Sequence, residues 1–82
     1  MKISAIFEKE HIMPYLESRN LLKQYQKAKN YLLLGYLKQV NFKLRHPKEF
    51  GVYSFRKNRQ FRAFCVCKEN ELIVFNIDNH QN

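Results

Sequence analysis

Arg56, Arg62, Asp78 and His80 are the residues of this chain whose types and spacing suit one chemistry, the cleavage of a phosphodiester without a metal ion. Breaking RNA in this way needs a base for the 2′-hydroxyl, positive charge around the phosphorus as it becomes pentacoordinate, and an acid for the departing 5′-oxygen. A histidine with an ordinary pKa of about 6.5 gives or takes a proton near neutrality, a role worth about 10² to 10⁴ in rate. Asp78, two residues before His80, can raise that pKa. Two arginines can hold the phosphate through charge-assisted, bidentate hydrogen bonds, each worth about 10² to 10³ in comparable sites. The plain reading of the same residues is an exposed histidine and two solvated strand arginines. His46 is a second candidate base, although its place in a turn beside Pro47 explains it equally well, and His11 is assigned to the surface.

These residues lie in 50–80, where three runs alternate with period two and are separated by polar breaks. Val52, Ser54 and Arg56 alternate with Tyr53 and Phe55, and Phe61, Ala63, Cys65 and Cys67 alternate with Arg62, Phe64 and Val66. The breaks at 57–59 and 68–71 have hairpin length, so the runs form an antiparallel meander with its last two strands near 60–67 and 71–77. Parity puts Arg62, with Phe64 and Val66, on the face opposite the small and apolar set. Lys43, Arg45, Lys48, Lys57 and Arg59 make a candidate rim for an RNA backbone, with Tyr53 as a candidate base-stacking ring.

Ahead of the meander, residues 2–7 form a short β-type run, and from His11 the apolar spacing changes to three and four. This predicts a short helix near 12–18 and a longer one near 20–34, the latter packing through Leu21, Tyr25, Ala28 and Leu32. Pro14 suits a first turn, Ser18 or Asn20 an N-cap, and Gly35 a C-terminal stop. Residues 36–44 alternate loosely and read as a strand or an extended connection, and 45–49 as a polar turn. The expectation is one α+β domain over 1–82: an N-terminal strand and a helical hairpin packed on a mainly antiparallel sheet of three to four strands.

Composition limits the partners. Fifteen Lys and Arg against seven Asp and Glu give a net charge of +8 over 82 residues, which favours a polyanion, nucleic acid first and an acidic protein second. No run of about 18 apolar residues and no signal-peptide pattern is present, so a cytoplasmic location is expected, with no membrane partner. Cys65 and Cys67 lie two apart on one strand face, where a disulfide would be strained; they read as reduced core residues. One C-x-C is a weak metal signal, and no metal or cofactor is expected.

Tyr53, Ser54, Arg56, Asn58, Gln60, Arg62 and Ala63, followed by Asp78 and His80, resemble the Y-S-x-R-x-N-x-Q-x-R-A hairpin and D-x-H strand end of the RelE/ParE superfamily of bacterial type II toxins, most of all its RelE-like and HigB-like branches. The resemblance covers about residues 37–82; the first strand and the helices agree in order only. It implies a RelE-like fold and an mRNA interferase, a ribosome-dependent endoribonuclease that stops translation and is silenced by a cognate acidic antitoxin. His80, Arg62, Arg56 and Asp78 would be its catalytic residues. Many relatives have Tyr where this chain has Asn79, and others carry an aromatic residue in a tail beyond the last strand. Two other readings stand beside it, a ParE-like toxin that inhibits DNA gyrase without nucleolysis and a non-catalytic basic RNA-binding module.

Overall fold

In the computed structural model, which describes residues 1–78, the chain runs β1 (Ala5–Glu8), α1 (Ile12–Ser18), α2 (Leu22–Leu33), a 3-10 turn (Leu37–Val40), β2 (Lys43–Leu44), a second 3-10 turn (Lys48–Phe50), β3 (Val52–Phe55), β4 (Arg62–Lys68) and β5 (Glu71–Asp78). The α+β class and both helices match the sequence expectation, but the sheet has five strands, in the order β1-β5-β4-β3-β2. The three- to four-strand expectation falls short at both edges. At one, β1 pairs parallel to β5, Phe7 opposite Ile73, and Ser4 N–H donates to the Asn70 carbonyl at 2.9 Å. At the other, the loosely alternating stretch divides into a 3-10 turn and a two-residue edge strand, with Lys43 opposite Ser54.

All three helical segments ahead of β2 end in the same way, which explains where they stop. In α1 the Leu21 N–H bonds back to the Leu16 carbonyl (2.8 Å) and Asn20 to Glu17 (3.1 Å); in α2 Tyr36 bonds to Tyr31 (2.9 Å) and Gly35 to Leu32 (3.0 Å). This is the paired six-to-one and five-to-two pattern that requires a left-handed residue just past the helix. Asn20 and Gly35 fill that position with φ of 59° and 88°. After the first 3-10 turn Asn41 does so with φ 51°, and Phe42 bonds to Leu37. Asn20 therefore terminates α1 instead of capping α2. Ser18 does not cap α2 either, since its hydroxyl donates to the Tyr15 carbonyl at 2.8 Å, and the N-cap position falls to Leu21, which has no side-chain cap bond.

Both helices lie on one face of the sheet. Ile12 and Leu16 of α1, with Leu21, Tyr25, Ala28 and Leu32, form a single core with Phe55, Phe61, Ala63, Cys65, Leu72, Val74 and Ile77, all buried. Tyr25 sits at its centre, with ring centroids 6.1 Å from Phe55 and 6.3 Å from Phe61. Its hydroxyl donates to Glu8 Oε2 at 2.7 Å, and Lys29 Nζ lies 2.6 Å from the same oxygen, so one carboxylate ties α2 to β1. Leu32→Ala is expected to lower the unfolding free energy by about 2–5 kcal/mol, as for other buried leucines. Gly35→Ala meets no atom within 4 Å and should cost only the backbone term, about 1–2 kcal/mol. Urea unfolding of the two variants checks both the order and the size.

Candidate functional site

Because directly paired residues share a face, strand register alone defines the surface left free by the helices. Ala63 pairs with Phe55 and Ile77, all in the core, so their neighbours Arg62, Phe64, Asn76 and Asp78 point the other way. One row across four strands reads Lys43, Ser54, Phe64, Asn76, and the row beside it sets Arg62 opposite Asp78. Parity in β5 switches at an irregularity between Phe64 and Cys65, which shifts the β4–β5 register and pairs Phe64 with Asn76 and Cys65 with Val74. Without the extra residue in β5, Asp78 would fall on the helix side, the outcome that period two would otherwise impose.

Arg56 and Arg62 are brought together. With Lys43, Asn41, Ser54 and Phe55 they line one small depression on the open face. Its position is fixed from behind: the Arg56 N–H donates to the Val40 carbonyl at 2.8 Å, anchoring the end of β3 on the first 3-10 turn. The hairpin that joins β3 to β4 is held by an Asn58 side chain accepting from the Gln60 N–H (2.9 Å) and by Gln24 of α2 donating to Gln60 (3.3 Å). Asn58 and Gln60 thus hold the loop between the two arginines in place. Three cations around one depression make a natural seat for a phosphate.

The other candidates divide. Arg45 belongs to the same face, its guanidinium 6.0 Å from the Phe64 ring centroid. Lys48 is exposed in the second 3-10 turn and Arg59 at the hairpin tip, and His46 is exposed beside Lys43 and Arg45. Two of the rim residues sit elsewhere. Tyr53 has the parity of Phe55, packs against the core side and stacks on Phe42 at 5.0 Å with the rings 5° from parallel, so it is not a base platform beside the arginines. Lys57 turns toward α2, its ammonium 4.7 Å from the Tyr31 ring, and does not line the depression of Arg56 and Arg62. His80, the proposed proton-transfer group, lies outside the described residues, two positions beyond Asp78 at the end of β5.

Sequence reasoning named neither the Glu8–Tyr25–Lys29 contact nor Asn76 and Ser54 as members of the open face. That Asn76 and Asp78 share a face was legible, since they are two apart in one strand, but that it is the face of the arginines was not, because alternation alone sets Asn76 with the buried Leu72 and Val74. Glu8 was not, because nothing local tells a strand which helix will cross it. Among the described residues no group of three or more His, Cys, Asp or Glu is placed to hold a metal ion, and no helix is long and apolar enough to cross a membrane. Compared with known proteins, the chain matches no family model, and no curated protein matches it significantly.

Cys65 and Cys67 are both free, and burial of Cys65, helped by Cys67, pushes its thiol up to about 12. Burial and the Glu8 carboxylate likewise raise the Tyr25 hydroxyl well above its usual range. Both groups therefore stay neutral in the fold at pH values where the unfolded chain ionises. Their contribution is complete below the unfolded pKa values and is lost as pH rises, at up to about 1.4 kcal/mol per pH unit for each group. Stability should decline from about pH 9 upward, and Cys65→Ala should lessen that slope while lowering stability at pH 7. Denaturant titrations at pH 7, 9 and 10.5 measure both effects.

Proposed function

We propose that the chain is the toxin of a type II toxin–antitoxin pair, a ribosome-dependent endoribonuclease that cleaves mRNA and thereby stops translation. The observation that carries this reading is the convergence of Arg56, Arg62 and Lys43 on one depression of the helix-free face, next to the β5 end where Asp78 stands opposite Arg62. The resemblance of the 53–63 hairpin and the D-x-H end to RelE-like toxins supplies the reaction. In it, the 2′-oxygen attacks the adjacent phosphorus and the bond to the 5′-oxygen breaks, leaving a 2′,3′-cyclic phosphate and a 5′-hydroxyl. Arg56 and Arg62 would neutralise the extra negative charge on the phosphoryl oxygens. His80 would move the proton, taking it from the 2′-hydroxyl or giving it to the leaving oxygen, with Asp78 favouring its charged form.

Induced expression of the wild type is expected to arrest growth and shorten mRNA, and purified protein to cut mRNA only when ribosomes are present. Arg62→Ala and His80→Ala should each lower the cleavage rate by about 10² or more while leaving the unfolding transition in place. Full growth arrest by a folded His80→Ala variant, with mRNA intact, would favour gyrase inhibition without nucleolysis. RNA binding without arrest would favour a plain binding module.

Such a nuclease must be silenced in its own cell, and the open face suits an acidic protein partner. Beside the cations runs an apolar row of Phe7, Ile73, Val66 and Val52, with Phe7 52% exposed. An acidic segment with apolar residues at alternate positions would cover both features, associating fast at low salt. Purification from the native host is expected to yield a stoichiometric acidic companion, and Phe7→Asp to weaken that complex without changing cleavage.

A further inference from the structure

We infer that Phe64 and Asn76 form a base-reading subsite on the open face, holding one unpaired RNA base next to the phosphate gripped by Arg56 and Arg62. The inference rests on the ribonuclease reading for its substrate, single-stranded RNA, and on independent geometry for its place. Phe64 is the aromatic residue whose parity in β4 matches Arg62; it follows Arg62 by two positions, about 7 Å along a strand. That is roughly the reach from a phosphate to the base of the same nucleotide or the next. Phe64 is half-buried, with part of its ring left accessible, and an aromatic set among cations is the usual way a sheet binds single strands, stacking the base while charge holds the backbone.

Arg45 strengthens the case. Its guanidinium sits 6.0 Å from the Phe64 centroid. A base sandwiched between two planar groups needs two contact layers of about 3.5 Å each, so an outward shift of about 1 Å would admit one. Arginine stacks on a base as readily as on phenylalanine. Asn76, exposed and directly across from Phe64 in register, would present its amide at the rim of the stacked base, one donor beside one acceptor. Every base offers an acceptor next to a donor on its Watson–Crick edge, and adenine repeats the pattern on its other edge, where N6 lies beside N7, the bidentate partner of an asparagine amide. Ser54, in the same row on the other side, is only 2% exposed and walls the subsite instead of reading from it.

The test reads binding and not turnover. Fluorescein-labelled hexanucleotides made wholly of 2′-O-methyl RNA, which lack the attacking hydroxyl, are titrated with the full chain at low salt, as oligo-A, oligo-U and oligo-C. Phe64→Leu is expected to bind about five- to a hundredfold more weakly, the loss of one stacked base, and Phe64→Tyr within about twofold of wild type. Asn76→Ala should bind with the wild-type affinity for oligo-U but lose the preference for oligo-A. Equal affinity in wild type and Phe64→Leu overturns the inference, as does a Phe64→Tyr variant no better than Phe64→Leu. If Phe64→Leu does not fold, an unchanged base preference in Asn76→Ala overturns it alone. A chain that binds through Phe64 yet cuts no mRNA keeps the subsite and loses the ribonuclease reading, whereas cleavage with binding indifferent to Phe64 does the reverse. Failure to bind any of the oligonucleotides overturns the subsite outright.

Discussion

The structure depends most on the seating of Tyr25 between sheet and first strand. Its ring fills the centre of a thin core, against Phe55 and Phe61, while its hydroxyl leaves that core and donates to the Glu8 carboxylate. An 82-residue chain has little apolar surface to spare, so a single aromatic that is buried and also hydrogen-bonded does much to fix the angle of α2. Lys29, one turn further along α2, closes on the same carboxylate and keeps its charge compensated at the edge of the core. The contact joins the first strand to the helix that covers the sheet, and with it the parallel β1–β5 pair to the rest of the fold.

Covering one face leaves the other to carry the charge. Arginine and lysine cannot be placed under the helices without the large cost of burying an unpaired ion, so the strand positions that hold Arg56 and Arg62 are necessarily those of opposite parity to Phe55 and Ala63. The open face is not uniformly polar. It has an apolar row from Phe7 to Val52, a mixed row from Lys43 through Phe64 to Asn76, and a charged row with Arg62 opposite Asp78. This gradation suits a strand of nucleic acid, which itself presents phosphate on one side and base on the other.

Charge is distributed along the chain as unevenly as it is across the sheet. Residues 18–48 contain eight Lys and Arg and no Asp or Glu, which accounts for the whole net charge of +8. In space that segment is α2, the 3-10 turns and β2, a band passing from the helical side round the β2 edge to the open face. Of its cations, Lys29 has a carboxylate within salt-bridge distance, so much of the positive potential remains directed at solvent and the edge nearest the arginines. A field of this shape raises the rate of encounter with a polyanion more than the strength of any one contact.

The sequence by itself determined the elements and their faces wherever a local rule governs: helix spacing buried Leu21, Tyr25, Ala28 and Leu32, Gly35 ended α2, and period two set Arg62 against Ala63 and Cys65. The same alternation already separated Tyr53 from Arg56, but which of those sets faces the helices is decided by what packs above, since both mix polar and apolar side chains. Only the tertiary structure decided that β1 runs parallel beside β5, because partners more than sixty residues apart leave no mark on local spacing. It also decided the register shift near Phe64, which carries Asn76 and Asp78 to the face of the arginines. The salt bridge and hydrogen bond on Glu8 belong to the same class, since they exist only once helix and strand are already side by side.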